Sequence, residues 1–167
     1  MSRCARPHPR AFTLVEVMIV VAIIGIMALL ARAAVQRILV QVRGNVLTND
    51  LRVFAGAYAQ YAHTNGSYPA SFTTPGGFPA PMAGMMSQAQ WSRTTPIGGT
   101  YGFLKDNTVG GKTYKALLCV TSAVATPITF TSAQLQAVDR KNDDGNLASG
   151  QFFTNGAALN TYYVVEP

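Results

Sequence analysis

Phe12 to Ala31 reads FTLVEVMIVVAIIGIMALLA, twenty residues with a single charge at Glu16. A helix rises 1.5 Å per residue, so this run is about 30 Å long, the thickness of a bilayer's hydrocarbon core. Arg3, Arg6 and Arg10 stand ahead of it. Basic residues before a span favour a short cytoplasmic N-terminus, with the bulk of the chain sent across. A secretory signal peptide is one rival, because Ala31-Arg32-Ala33 has the small-x-small form of a cleavage site. Against it, the apolar run exceeds the roughly 7–15 residues of a signal peptide, and a carboxylate inside such a run is unusual. A plain membrane anchor, with Glu16 near the edge of the bilayer, is the other rival.

Beyond Arg32 the helical pattern continues but becomes amphipathic. Val40, Leu47, Leu51, Phe54, Tyr58 and Tyr61 recur mostly at steps of three, four or seven and share one face. Gln36, Arg37, Gln41, Arg43, Asn45 and Arg52 supply the polar positions. The pattern predicts one helix from Phe12 to about Thr64, stopped by Asn65-Gly66-Ser67-Tyr68-Pro69. Gly44 costs about 1 kcal/mol relative to alanine, and a break there into two helices is the alternative. Residues 66–99 are rich in Gly, Pro, Met and Ser and predict a long surface loop with little regular structure. Met82, Met85 and Met86 are expected to pack within it, while Trp91 is left open between packing on a sheet and touching a partner. Strand signals follow at Thr100–Leu104, Thr113–Val120, Ile128–Phe130, Gln151–Thr154 and Thr161–Val165. Thr131-Ser132-Ala133-Gln134 predicts a helix start, leading to about Val138. The expected fold class is α+β: a long N-terminal helix, membrane-spanning in its first half, packed in its second half against a small antiparallel sheet.

Ala11-Phe12-Thr13-Leu14-Val15-Glu16, followed by an unbroken apolar run, resembles the leader junction of type IV prepilins and type II secretion pseudopilins. The resemblance implies a leader over 1–11, cleavage by a prepilin peptidase between Ala11 and Phe12, and N-methylation of Phe12. It also implies assembly roles for Glu16, fifth after the cut, and for Gly25 within the helix. The span would be 12–31, and the amphipathic half-helix plus head would be 32–167. Two departures stand out: Ala11 replaces the usual glycine before the cut, and Ala33 lies where many major pilins carry proline. The head adds weaker likeness to pseudopilins at Gly66-Ser67-Tyr68-Pro69, at Thr95 to Tyr101 and at Asp143 to Leu147. The implied partners are other copies of the chain, other pilins or pseudopilins, the prepilin peptidase, an inner-membrane assembly platform and the membrane itself. The implied location is the bacterial inner membrane, with a periplasmic head, and then a pilus or pseudopilus. The missing disulfide and the head segments favour the pseudopilus. A membrane-tethered binding module that does not polymerise is the alternative, though a tether has no use for an intramembrane carboxylate.

The formal charge of +6 suggests nucleic acid. Without the first eleven residues, however, ten basic side chains face seven acidic ones, a net of +3, so nucleic acid is not expected as a partner. Of the two cysteines, Cys4 falls in the expected leader. Cys119, inside Ala116-Leu117-Leu118-Cys119-Val120, reads as a small buried hydrophobe. His8 and His63 have no partners for a triad or zinc site, and there is no phosphate-binding loop or nucleophile elbow. The chain is therefore expected to be no enzyme and to need no cofactor. Asp139, Asn142, Asp143 and Asp144 ahead of Gly145 form the only carboxylate cluster. Calcium favours such oxygen ligands, and the family resemblance includes pseudopilins that order a C-terminal loop with it. An EF-hand register would place Arg140 first and Gln151 last, which fails. Asp-Asp-Gly-Asn is also good turn chemistry, so a turn without metal is expected.

Overall fold

The computed structural model describes residues 12–156 and 159–167, and the chain divides into two compact units between Leu39 and Val40. The predicted leader, including Ala11, lies outside the described residues. Helix α1 runs from Leu14 to Asn65 without a break at Gly44.

In the first unit α1 leaves its apolar side chains bare. Leu14 is 76 % exposed and Leu30 72 %, and no part of the most apolar window is buried. The helix is long and apolar enough to cross a membrane.

In the second unit α1 meets the head. The elements are α2 (Gln88–Trp91), β1 (Thr100–Val109), β2 (Lys112–Thr121), α3 (Ser132–Asn142), β3 (Phe152–Asn155) and β4 (Asn160–Glu166). The strands form one antiparallel sheet in the order β1-β2-β4-β3. The predicted helical face is the one that is used: Leu47, Leu51, Phe54 and Tyr58 are fully buried in a core with Tyr101, Phe103 and Leu118. Burying each such side chain contributes about 1.5–3 kcal/mol. Tyr58 stacks on Phe103 with ring centroids 3.9 Å apart, and Phe54 meets Trp91 and Tyr101 edge-on at 5.0 Å. These expectations for an α+β fold are met.

Helix α3 begins as predicted at Thr131, whose hydroxyl accepts from the Gln134 backbone while Gln134 accepts in return. It runs on to Asn142, past the predicted end. Its Val138 side chain fills the space where a Cβ on residue 44 would stand, which is what the mid-helix glycine provides. Gly102 does the same in β1, where a Cβ would lie 2.8 Å from Cys119 Sγ and 3.2 Å from the Phe72 carbonyl.

Three expectations change. Ile128–Phe130 is not a strand. The Ile128 N–H goes to the Ser122 hydroxyl and the Thr129 N–H to the Ile97 carbonyl, so no single ladder forms, and Phe130 plugs the core instead. The 66–99 segment is more than a surface loop. It carries a 3-10 turn at Ala80–Met82 and α2, and it buries Met82, Trp91 and Ile97 completely. The question of Trp91 is thereby answered, since its ring lies in the core.

The β1–β2 hairpin extends five residues beyond Leu104, and Asp106 takes a positive φ of 47° within it. Val109 and Tyr114, near its tip, pack with Leu117, Phe153 and Val164 in a second cluster. Phe153 pairs with Tyr162, which pairs with Cys119, five residues from Tyr114 along β2. Five strand residues span about 17 Å, yet the Tyr114 and Phe153 rings are 5.6 Å apart. The hairpin therefore coils back over the sheet. Both sheet edges are covered as well. Phe72 and Phe103 exchange backbone hydrogen bonds at 2.7 Å, and the Thr154 N–H reaches the Leu147 carbonyl at 2.8 Å.

Candidate assembly and processing site

Phe12 stands before the first helical residue with its side chain 79 % exposed. Thr13 is the helix cap: its hydroxyl accepts from the Glu16 N–H at 3.3 Å. Glu16 answers with Oε2, which accepts from the Thr13 N–H and hydroxyl, both at 3.4 Å. This is a capping box with long, weak bonds. The capping-box pattern Thr-x-x-Glu stands in the sequence as Thr13-Leu14-Val15-Glu16, inside a run whose apolar length and leader junction dominate its reading. Glu16 thus has a local polar partner but no cation within the described residues. A Cβ at Gly25 would find no atom within 4 Å, so that flank is open to close approach by another helix.

The head holds a second polar constellation. Asp139 of α3 is fully buried, and among the described residues neither of its carboxylate oxygens has a hydrogen-bond partner. One oxygen each from Asp139, Asp143 and Asp144 lie within 4.8 Å of one another. Asp143 Oδ2 accepts from the Gln151 and Phe152 N–H groups. Asp144 accepts from the Asn146 N–H at 2.7 Å and the Ser149 hydroxyl at 2.8 Å, and these donors hold its carboxyl below the usual range. Burial first, then the charges of Asp144 and Asp143, push the Asp139 carboxyl up to about 6. Neither ion pair among the described residues involves these acids. The expected turn is present, with Gly145 at φ 78°. What the sequence did not disclose is that α3 delivers a buried third carboxylate to it.

A surface cleft of about 480 Å³ is lined by His63, Tyr68, Lys105, Asp106, Lys115 and Glu166. Lys115 is bonded to Glu166 at 2.6 Å and Asp106 sits beside Lys105, so its basic and acidic groups offset one another. Cys119 is buried and free, and burial pushes its thiol up to about 12, as suits a packing residue.

Residues 6–31 match the family described as the prokaryotic N-terminal methylation motif. The motif supports a pilin-type structural subunit that is processed by a prepilin peptidase and assembles in a pilus-like manner. With the long apolar helix, it fits a single-pass inner-membrane protein. No curated protein and no solved structure matches the chain.

Proposed function

We propose that the chain is a type II secretion pseudopilin, cut between Ala11 and Phe12, N-methylated at Phe12 and polymerised through its N-terminal helix. The observation that carries this reading is α1 before Leu39, an apolar helix surface with no cover from the described residues, within and just after a methylation motif. Such a surface is stable only in lipid or against other apolar helices. Residues 1–11 then serve as leader, 12–31 as span and filament core, and 32–167 as half-helix and head, with the head on the periplasmic side.

Glu16 has a specific task in this arrangement. Its capping bonds are weak, and a carboxylate in hydrocarbon is costly. The free amine of Phe12 on a neighbouring copy offers a cation, and pairing the two offsets desolvation and sets the axial register. Gly25 lets adjoining helices approach closely. The partners are further copies, other pseudopilins, the peptidase and an inner-membrane platform.

N-terminal sequencing and intact mass of protein from native membranes test the processing. A methylated Phe12 start is expected, and a start at Ala34 overturns the proposal because the packing helix would be lost. Sheared or cross-linked filaments that contain the chain test polymerisation. A chain that stays monomeric in the membrane overturns it.

A further inference from the structure

We propose that Val124, at the tip of the β2–α3 connection, seats in an apolar hollow between α1 and α3 on the head of a second copy of this chain. The choice of a second copy rests on the filament reading above, and the closing experiment separates the two. The contact itself comes from two features of the head, a bare knob and an open hollow.

Val124 is fully exposed, so the described residues leave it bare. A single exposed aliphatic is ordinary on a surface. This one stands on a braced turn. Ala123 and Thr126 exchange backbone hydrogen bonds at 3.3 and 3.0 Å, and the Thr126 carbonyl also accepts from the Gly99 N–H at 3.0 Å. The Ser122 N–H reaches Asn160 Oδ1 at 3.1 Å, which ties the base of the turn to β4. Gly98 and Gly99 let a second loop press against it, since a Cβ on them would meet the Pro127 and Thr121 carbonyls. A knob held this way has little freedom left to lose on docking.

The hollow is lined by Val40, Ala137 and Val138, with Gln41, Asn45 and Lys141 beside them. Its volume of about 30 Å³ takes two methyl-sized groups at roughly 10–15 Å³ each, the load carried by a valine's isopropyl end. Filling such a hollow with methyl groups removes apolar surface from water. The polar groups match as well. Gln41 and Lys141 can donate, and among the described residues nothing donates to the Val124 and Ala125 carbonyls. A bare Val124 does not fill its own hollow, and a second copy brings the same valine to it. Knob and hollow are different surfaces, so each copy in contact keeps one of each free. Contacts of this heterologous kind pass from copy to copy and do not pair off as a two-fold dimer. One valine buries far less than the roughly 1,200 Å² of a stable interface, so the contact sets the register of heads that the helices hold together.

The test uses the full chain in native membranes and in filaments sheared from them, treated with a mild oxidant. Every variant carries Cys4→Ser, which leaves the buried Cys119 as the native thiol. Val124→Cys combined with Gln41→Cys should give a ladder of dimers, trimers and longer species that dithiothreitol collapses, and each cysteine alone should give none. Val124→Asp, a change at a fully exposed position, should leave the melting temperature unchanged. It should cut filament yield by about tenfold, the weight of one buried valine side chain. Filaments without a ladder overturn the contact and leave the filament reading standing. A ladder from membranes that yield no filaments upholds the contact and sinks the filament reading, and the absence of both overturns both. Dimers from Val124→Cys alone, or full filament yield from Val124→Asp, overturn the pairing of knob and hollow.

Discussion

Tyr101 donates its hydroxyl to Asp50 Oδ2 at 2.6 Å, tying the first strand to the long helix inside the core. The same carboxylate accepts from Gln90 at 2.6 Å and from Arg93 at 2.5 Å, so helix, α2 segment and sheet meet on one side chain. Burial, with Asp50 beside it, keeps the Tyr101 phenol protonated. Asp50→Ala should orphan the buried hydroxyl and the Gln90 amide. Arg93, 45 % exposed at its side chain, turns to water. The expected loss is about 2–3 kcal/mol, measured by urea unfolding of the head fragment described next. A change below about 0.5 kcal/mol would show that Asp50 is not a structural hub.

A fragment that starts at Gln36, four residues ahead of the second unit, should be a folded, soluble monomer. Its one thiol, Cys119, is buried and raised to about 12, so it should ignore thiol reagents until urea is added. Circular dichroism and sedimentation with and without dithiothreitol check both points. Aggregation, or loss of structure on reduction, would contradict the unit boundary or the place given to Cys119.

Glu16 caps the helix and, in the proposed filament, would also pair with a neighbouring amine, and different substitutions separate the two. Glu16→Gln keeps a group able to complete the capping box with Thr13 and removes the charge. Glu16→Leu removes both. If the charge pairs with a neighbouring amine, both variants should insert into membranes normally and both should lose at least about tenfold in filament yield. Normal assembly by the Gln variant alone would assign Glu16 to the cap, and normal assembly by both would leave the helix as an anchor.

The pH dependence of the head follows from Asp139. Its carboxyl rises from 3.8 to about 6 on folding, so between those values the folded state binds more protons than the unfolded one. Stability that is fully present below pH 3.8 should fall as pH rises to about 6 and then level off. Urea midpoints from pH 4 to 7, compared with Asp139→Asn, measure this contribution. An unchanged slope in the variant would refute it.

The helix and the outline of the sheet were legible because they rest on periodicity. A span-length apolar run, a face repeating from Leu47 to Tyr58 and the Gly66–Pro69 stop have local signatures. Other features have none. Beyond Leu104 the hairpin passes Asp106, which has no partner in the register, and Asn107, a poor strand former whose pairing with Tyr114 overrides its preference. Ile128–Phe130 has strand composition, but two separate segments take its N–H groups. The Asp139 cluster joins neighbours only four and five positions apart, yet linear reading sees a turn. Burial alone shows that one of the three acids is not solvated.

The covered flanks of the sheet bear on what crowding does to this molecule. Ser71 and Phe72 occupy the hydrogen-bonding side of β1, while Leu147 shields the four-residue β3. A row of bare amides and carbonyls invites strands from other chains to dock, the route to irreversible fibres. Here Phe103, Lys105 and Thr154 are already engaged, which narrows that route at both ends. In the proposed filament, cohesion would then come from the apolar helix surface before Leu39, and not from strands shared between heads.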